Sequence, residues 1–153
     1  MTIPSIEKTL RPKESFIFKD LVGSYFNPNW HFHQEFQISL IVKGKGTRFI
    51  GDHVQTFNEG DLVFTGPNLP HLWRSDEAYF EKDSKLKTRG LVIYFDHELF
   101  SKSLLEKEEF YKINKLIERS ARGMEFHGTT KKKVIKLLLQ IEKQSGFDRI
   151  IKL

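Results

Sequence analysis

The sequence of 153 residues contains no cysteine, and this absence excludes several kinds of chemistry at once. Disulfide frameworks, thiol nucleophiles and thiolate metal sites are ruled out, and the composition fits a reducing compartment. No apolar run approaches the roughly 18 residues that a membrane span needs. The first residues also lack the apolar centre of a secretory signal. We therefore expect a soluble, cytoplasmic protein without a membrane association.

The residues that are present suit one packed core and one domain. Hydrophobic residues make up 39% of the chain and include 14 Phe, which argues against disorder. The formal net charge of +5 is unevenly placed, because residues 1–100 contain 12 Lys and Arg against 13 Asp and Glu, whereas residues 101–153 contain 13 against 7. The densest basic run, Lys131–Lys133, lacks the interleaved aromatic or base-reading residues of a nucleic-acid interface. We interpret that run as a solvated helix face.

From about Ser15 to Phe95 the sequence predicts short strands separated by turns. Residues 30–42 alternate in polarity and predict one long, two-faced strand. Gly51-Asp52 has Gly first, as a type II′ hairpin requires. The other predicted strands are 47–50, 53–57, 62–65, 71–74 and 91–95. Strands this short and regular predict a barrel or a sandwich, and the charged stretch 76–89 predicts an exposed, mobile loop.

Beyond Asp96 the apolar period changes to about three and a half residues, which predicts helices. The first predicted helix covers residues 103–121, with Ser103 and Glu106 in a capping box. The second covers residues 130–145, with Thr129 or Thr130 as its cap and Gly146 as its end. Residues 147–153 predict the beginning of a further, connecting helix.

The long alternating stretch leaves the direction of its polar face open. Its even positions are nearly all apolar, whereas its odd positions include His31, His33, Glu35 and Gln37. In an ordinary half-buried strand these polar residues would face water. In a barrel that encloses a ligand they would face inward, and the helices and the N-terminal strand would cover the apolar face. The alternation alone fits both arrangements.

Two segments together resemble the paired motifs of the cupin superfamily. The first runs from Trp30 to Gln37 and on to Gly44, and the second runs from Gly60-Asp61 to Pro67-Asn68-Leu69-Pro70-His71. With Gly-Thr-Arg-Phe-Ile-Gly-Asp at 46–52 and the segment 120–128, the chain from about residue 15 to its end resembles the N-terminal sensor domain of AraC-type transcriptional regulators. The resemblance implies a mainly β fold, with a cupin-type β-barrel (double-stranded β-helix or jelly roll) over residues 1–100. Two or three C-terminal α-helices would follow over residues 101–153, packed on the barrel and mediating dimerisation.

The same resemblance implies a function in effector sensing rather than catalysis. A small metabolite would bind in the barrel, and the resemblance suggests a sugar or sugar acid. The protein would form a homodimer. DNA would be contacted only through a C-terminal domain with two helix-turn-helix motifs, which this chain does not contain. Because residues 147–153 are apolar enough to continue as helix, we expect a shortened chain rather than a stand-alone sensor.

The candidate site residues come from both motifs. His31, His33 and Gln37 share one strand face because their separations are even, and the resemblance implies that His71 joins them from a neighbouring strand. The predicted ligand-binding residues are His31, His33, Glu35, Gln37, Arg48, His71 and Trp73. Arg48 and Arg74 would pair with a ligand carboxylate or lie on the surface, and Trp30 and Trp73 would flank the pocket beside a sugar ring or pack in the core.

A metal is the second expectation for the same residues. Cupins that bind metal usually have Glu where this sequence has Gln37, so a site of His31, His33, Gln37 and His71 gives a divalent cation a weaker field, which Glu35 would partly restore. No cofactor is required for sensing, although the set suits Zn, Ni or Fe. Without a metal, these histidines would hydrogen-bond a ligand or each other.

Two other functions fit the sequence. One is a small metal-dependent cupin enzyme, an isomerase or dioxygenase, against which the Gln37 substitution argues. The other is a dimerisation module in which the helices act and the barrel is only a scaffold. His53, His97 and His127 are predicted to be surface or capping histidines, and no Ser-His-Asp spacing or phosphate-binding Gly loop is present.

Overall fold

The computed structural model describes residues 4–7, 9–11, 13–14 and 16–153. Ser15, where the sequence predicts the strands to begin, and residues 1–3 of the predicted barrel domain lie outside the described residues. The described strands are β1 Ser5–Ile6, β2 Phe16–Gly23, β3 His31–Phe32, β4 Phe36–Lys43, β5 Gly46–Ile50, β6 His53–Phe57, β7 Leu62–Thr65, β8 His71–Ser75, β9 Thr88–Phe95 and β10 Met124–Glu125. The described helices are α1 Lys102–Leu105, α2 Tyr111–Ser120, α3 Gly128–Ile141 and α4 Phe147–Lys152.

The strands form two five-stranded sheets. The first sheet has the order β1-β3-β8-β5-β6 and the second has the order β10-β7-β4-β9-β2. All neighbouring strands are antiparallel except β1 and β3, which run parallel. The two sheets form a sandwich, and helices follow it in the chain. The predicted mainly β fold with C-terminal helices is confirmed.

The hydrophobic core lies between the second sheet and the helices. Strand β4 contributes Phe36 and Leu40, and α3 contributes Leu138 and Ile141, which are 2% and 1% exposed. The cluster is completed by Leu62, Phe64, Leu91, Ile93 and Phe95. Because side chains alternate along a strand, the other face of β4 points toward the first sheet. The helices therefore cover the apolar face, as the second of the two sequence interpretations requires.

The predicted single strand over residues 30–42 is wrong. The chain leaves the first sheet after Phe32, bends at residues 33–35 and enters the second sheet at Phe36. Such a change of sheet is how a sandwich turns a corner. Because the polarity alternates through the bend without interruption, the sequence pattern gives no sign of it.

The glycine turns follow the sequence closely. Ile50 pairs with His53 across Gly51-Asp52. Of these two turn residues, Gly51 has a positive φ of +57° and Asp52 does not. This is the φ pattern of a type II′ turn, in which the first central residue must adopt the left-handed region. Gly60 has φ +82° in the next turn, and β7 begins two residues later.

The helical boundaries differ from the prediction. The predicted helix over residues 103–121 is divided into α1, a 3-10 turn at Glu108–Phe110, and α2. The cap of α1 is Ser101, whose Oγ accepts a hydrogen bond from the Leu104 amide at 3.3 Å, and not Ser103. Helix α3 begins at Gly128, ahead of the predicted threonine caps, and ends at Ile141. The predicted connecting helix is present as α4.

The stretch predicted as an exposed loop is partly built into the fold. A 3-10 turn covers Glu77–Tyr79, the Tyr79 ring is buried, and β9 already begins at Thr88. In the described part of the chain, no helix has both the length and the apolar composition needed to cross a bilayer.

Candidate functional site

A cavity of about 390 Å³ lies between the two sheets. Its walls come from His31 and Trp73 of the first sheet and from Gln37, Ser39 and Tyr94 of the second. Further lining residues are Ser5, Ile6, Glu7, Leu21, Phe26, Asn27, Asn29, Leu40, Ile41, Gly90 and Val92. A volume of this size, with apolar walls and a few polar groups, is typical of small-molecule sites. The odd-numbered residues Gln37 and Ser39 of β4 thus face a partly open cavity between the sheets.

Three imidazoles converge beside this cavity. His31 lies on β3, directly opposite His71 at the start of β8, and His33 follows in the bend. The ring of His71 lies 4.6 Å from that of His31 and 5.0 Å from that of His33, centre to centre. His33 and His71 are fully buried, with 1% and 0% exposure, whereas His31 is partly open.

The side-chain amide of Gln37 lies between two of the rings. Its Oε1 is 2.8 Å from Nε2 of His33 and 3.2 Å from Nε2 of His71, and its Nε2 donates to Ser39 Oγ at 2.6 Å. The structure thus brings His33, Gln37 and His71 together. Their role in binding stays a prediction.

Backbone carbonyls fix the direction in which each ring presents its nitrogens. Nδ1 of His31 lies 2.8 Å from Asn29 O, Nδ1 of His33 lies 3.0 Å from Glu35 O, and Nδ1 of His71 lies 2.7 Å from Leu69 O. A carbonyl only accepts hydrogen bonds, so a neutral ring in this place keeps its proton on Nδ1 and has a lone pair on Nε2. The Nε2 atoms of His33 and His71 then both face the Gln37 amide, and Nε2 of His31 faces Glu7.

Burial keeps two of these rings neutral. It lowers the pKa of His71 to about 3, against a weaker opposing effect of the hydrogen bond with Leu69 O. It also lowers the pKa of His33, although Gln37 and Glu35 favour the protonated form. Both rings are therefore uncharged at neutral pH and can serve as acceptors or metal ligands through Nε2.

The network around Gln37 has two consistent states. With Oε1 toward the imidazoles, the amide oxygen and the Nε2 lone pairs form a set of converging acceptors, which a cation would stabilise. With the amide turned by half a rotation, its NH₂ group donates to both Nε2 atoms and its oxygen accepts from Ser39, so that every group is satisfied without a cation.

The donor set fits a divalent transition metal. The ligand atoms of His31, His33 and His71 all lie within 4.8 Å of one another. Each ring donates its other nitrogen to a carbonyl, the usual support of a metal-bound histidine. Three neutral imidazoles and an amide oxygen would hold Zn²⁺, Ni²⁺ or Fe²⁺, although with less negative charge than a site that includes a carboxylate.

Glu35 does not supply that carboxylate. It lies on the Nδ1 side of His33, with Oε2 at 3.6 Å from that nitrogen, and Oε1 accepts from the Leu10 amide at 3.3 Å. Glu35 is absent from the cavity walls among the described residues. It orients His33 and holds the N-terminal segment, and the prediction that its charge partly compensates for Gln37 stays a prediction.

The two arginines lie apart from the histidines. Arg48 is 3% exposed and pairs with Asp61 at 2.9 Å and Glu125 at 2.5 Å, beside a second cavity of about 500 Å³ between β5, β6 and β10. The positive charge of Arg48 is therefore neutralised by two carboxylates of the protein, and Arg48 is not a surface arginine. Arg74 is exposed on β8.

The aromatic candidates separate clearly. The Trp73 ring lines the first cavity and lies 5.6 Å from His71, whereas Trp30 is absent from those walls in the described part of the chain. Tyr94, which the sequence did not single out, lines the same cavity from the second sheet. Burial raises the pKa of its hydroxyl, which therefore stays protonated as a donor. His53, His97 and His127 are exposed.

Several polar wall residues were missed at the sequence level. Ser39 continues the odd-numbered series after Gln37 and was therefore within reach of the alternation argument. Asn27 and Asn29 lie in an irregular segment, and Glu7 arrives through the parallel pairing of β1 with β3. No local signal in the sequence predicts such long-range neighbours.

Comparison with known proteins gives a family for the chain. Residues 11–151 match the model of the AraC-like ligand binding domain. No curated protein matches the chain in sequence.

Three solved structures are similar to this chain, and the first of them shares its fold. ToxT from Vibrio cholerae has a TM-score of 0.54 at 13% identity, over 91% of this chain and 52% of ToxT. The AraC-like transcriptional activator CuxR has a TM-score of 0.47 at 11% identity, over 72% of this chain and 33% of CuxR. A cupin 2 conserved barrel domain protein from Rhodopseudomonas palustris has a TM-score of 0.41 at 16% identity, over 57% of each chain. This chain spans about half of ToxT. The family match and the two five-stranded sheets together confirm the predicted cupin-like fold.

Proposed function

Because the chain belongs to the AraC-like ligand binding domain family, we propose that it is the effector-sensing part of an AraC-type transcriptional regulator and binds a small metabolite between its sheets. The observation that supports this most is the partly open cavity of about 390 Å³ between the sheets, with neutral polar groups set in apolar walls. His31, Gln37, Ser39 and Trp73 would contact the ligand. The buried rings of His33 and His71 would hold Gln37 in place.

The charges of the walls favour an uncharged ligand rich in hydroxyl groups. Among the described residues that line the cavity, Glu7 is the one acidic side chain, and neither Lys nor Arg is present. Lys19 is near, with its ammonium 4.9 Å from the centre of the Tyr94 ring, but it lies outside the walls. A carboxylate or phosphate would lose its hydration without gaining a cationic partner. A sugar or polyol would instead stack on Trp73 or Tyr94 and exchange hydrogen bonds with the amides.

Sensing requires that the ligand prefer one arrangement of the protein over another, since equal affinity for both shifts nothing. We propose a cytoplasmic homodimer in which occupation of the cavity changes how the subunits, or the sensor and a DNA-binding domain, are placed. Apolar side chains exposed on the last two helices support the dimer, namely Leu137, Leu139, Phe147, Ile150 and Ile151. In this proposal residues 1–100 sense the effector, residues 101–153 dimerise, and DNA is contacted through a domain outside this chain.

The ligand class can be tested with a panel of neutral sugars and polyols beside the matching sugar acids and sugar phosphates. A molecule that binds the folded state raises its apparent stability by mass action, so a thermal-shift screen followed by calorimetry identifies binders. We expect stabilisation by neutral members only. Trp73→Ala should weaken the best of them by about tenfold or more, and Trp30→Ala, which removes a tryptophan outside the cavity, should not. Binding confined to the anionic members would refute the proposed class.

A metal site is the second candidate, and the convergence of the three imidazoles, whose ligand atoms lie within 4.8 Å of one another, favours it. His31, His33, His71 and Gln37 would hold the ion, which would act as a Lewis acid and anchor oxygen ligands. A small metal-dependent enzyme is the corresponding alternative to a sensor. Stoichiometric metal together with turnover of a substrate would favour the enzyme, and ligand binding without turnover favours the sensor.

A further inference from the structure

Glu7 brings a carboxylate to the histidine cluster from a distant part of the chain. Its amide donates to Phe32 O at 2.9 Å, and the Ser5 amide donates to Trp30 O at 3.0 Å. These bonds fix residues 5–7 beside β3. The carboxylate Oε2 of Glu7 then lies 3.3 Å from Nε2 of His31, and the residue lines the cavity.

This contact joins two acceptors unless a positive charge lies between them. Nδ1 of His31 faces Asn29 O, so the neutral ring presents a lone pair on Nε2 to the carboxylate oxygen. The pair becomes favourable when both atoms bind the same cation. Nε2 of His33 and Nε2 of His71 both lie beside Gln37 Oε1, and the ligand atoms of the three rings lie within 4.8 Å of one another, so such a cation would meet further ligands there.

The histidine cluster lacks a negatively charged group that could bind a cation together with the imidazoles. Gln37 is neutral, and Glu35 faces the opposite side of His33. The Glu7 side chain is 46% exposed, so a rotation toward the other rings costs little packing. Such a rotation is needed, because the set of ligand atoms within 4.8 Å of one another comprises the three imidazoles.

We propose that Glu7 supplies the anionic ligand of a divalent-metal site formed with His31, His33 and His71. This proposal rests on the second candidate function. It makes metal binding and the docking of residues 5–7 on β3 thermodynamically linked, so each strengthens the other by the same factor. The N-terminal segment would then close one wall of the cavity more firmly when the metal is present.

The test is a competition of the protein with a chromophoric chelator for Zn²⁺ and Co²⁺ at neutral pH. Glu7→Gln should weaken affinity by about tenfold or more and alter the visible spectrum of bound Co²⁺, because one oxygen ligand is lost. Glu81→Gln makes the same charge change at an exposed loop position and should leave both unchanged. His71→Ala should abolish tight binding.

Hydrogen exchange at the Glu7 amide provides a second measurement. Zn²⁺ should slow this exchange in the wild type and leave it unchanged in Glu7→Gln. Equal metal affinity in the wild type and Glu7→Gln, with loss in His71→Ala, would overturn the role of Glu7 while leaving the histidine site intact. Absence of metal binding by the wild type would overturn both, and the metabolite screen would still decide the sensor function.

Discussion

The placement of the histidines depends on helix α3 covering the apolar face of β4, and Leu138 is the side chain that tests this packing. Leu138 is 2% exposed and belongs to the same cluster as Leu40 and Leu91. Truncating a fully buried leucine to alanine removes its transfer free energy and leaves a cavity, at a cost of about 2–5 kcal/mol. We expect a loss of about 3 kcal/mol for Leu138→Ala, and for a domain of this size each kcal/mol lowers the Tm by about 2–4 °C.

The next residue provides a matched control. Leu139 is 39% exposed, so Leu139→Ala should change the free energy of unfolding by about 0.5 kcal/mol or less. Urea unfolding followed by circular dichroism gives the free energy of unfolding of both variants, provided that its slope against urea concentration, the m value, is the same as in the wild type. Equal losses in the two variants, or a loss below about 1 kcal/mol in Leu138→Ala, would refute the packing of α3 on the second sheet.

Two further predictions concern buried charge. The folded pKa of His71, about 3, lies below its ordinary value of 6.5, so the unfolded chain binds the proton first as the pH falls. Stability should therefore decrease by up to about 1.4 kcal/mol per pH unit between those two values, and His71→Gln should reduce this slope in urea titrations; identical slopes would contradict the burial of a neutral ring. Arg48→Leu leaves Asp61 and Glu125 without their cation and should cost about 3–5 kcal/mol, whereas adding Asp61→Asn and Glu125→Gln should recover most of that loss. If Arg48→Leu alone is as stable as the wild type, the ion pairs make no net contribution.

The sequence predicts what depends on local periodicity. The even–odd alternation after Phe36 identifies both faces of β4, and the position of Ser39 follows from the same rule. Glycine identifies the turns at Gly51 and Gly60 because few other residues adopt a positive φ there. These features depend on neighbours two or three residues apart.

What the sequence does not predict depends on contacts between distant segments. The alternation continues through residues 33–35, so the change of sheet leaves no trace in it. Arg48 looks like a ligand-binding residue until Glu125, 77 positions away, is seen to pair with it. Glu7 reaches His31 only because β1 pairs with β3. Closure of the sandwich decides these contacts, and no local pattern encodes it.

The central claim is that the three imidazoles converge in the interior, beside a cavity whose wall includes His31 and Gln37 and which we propose receives the effector. The most direct measurement is an NMR titration of the ¹⁵N-labelled imidazoles from neutral to mildly acidic pH, with and without the best neutral ligand. We predict that His33 and His71 stay neutral with the proton on Nδ1, and that the ligand shifts the signals of His31 and the Gln37 amide. Rings that titrate as solvent-exposed histidines do and ignore the ligand would contradict the account.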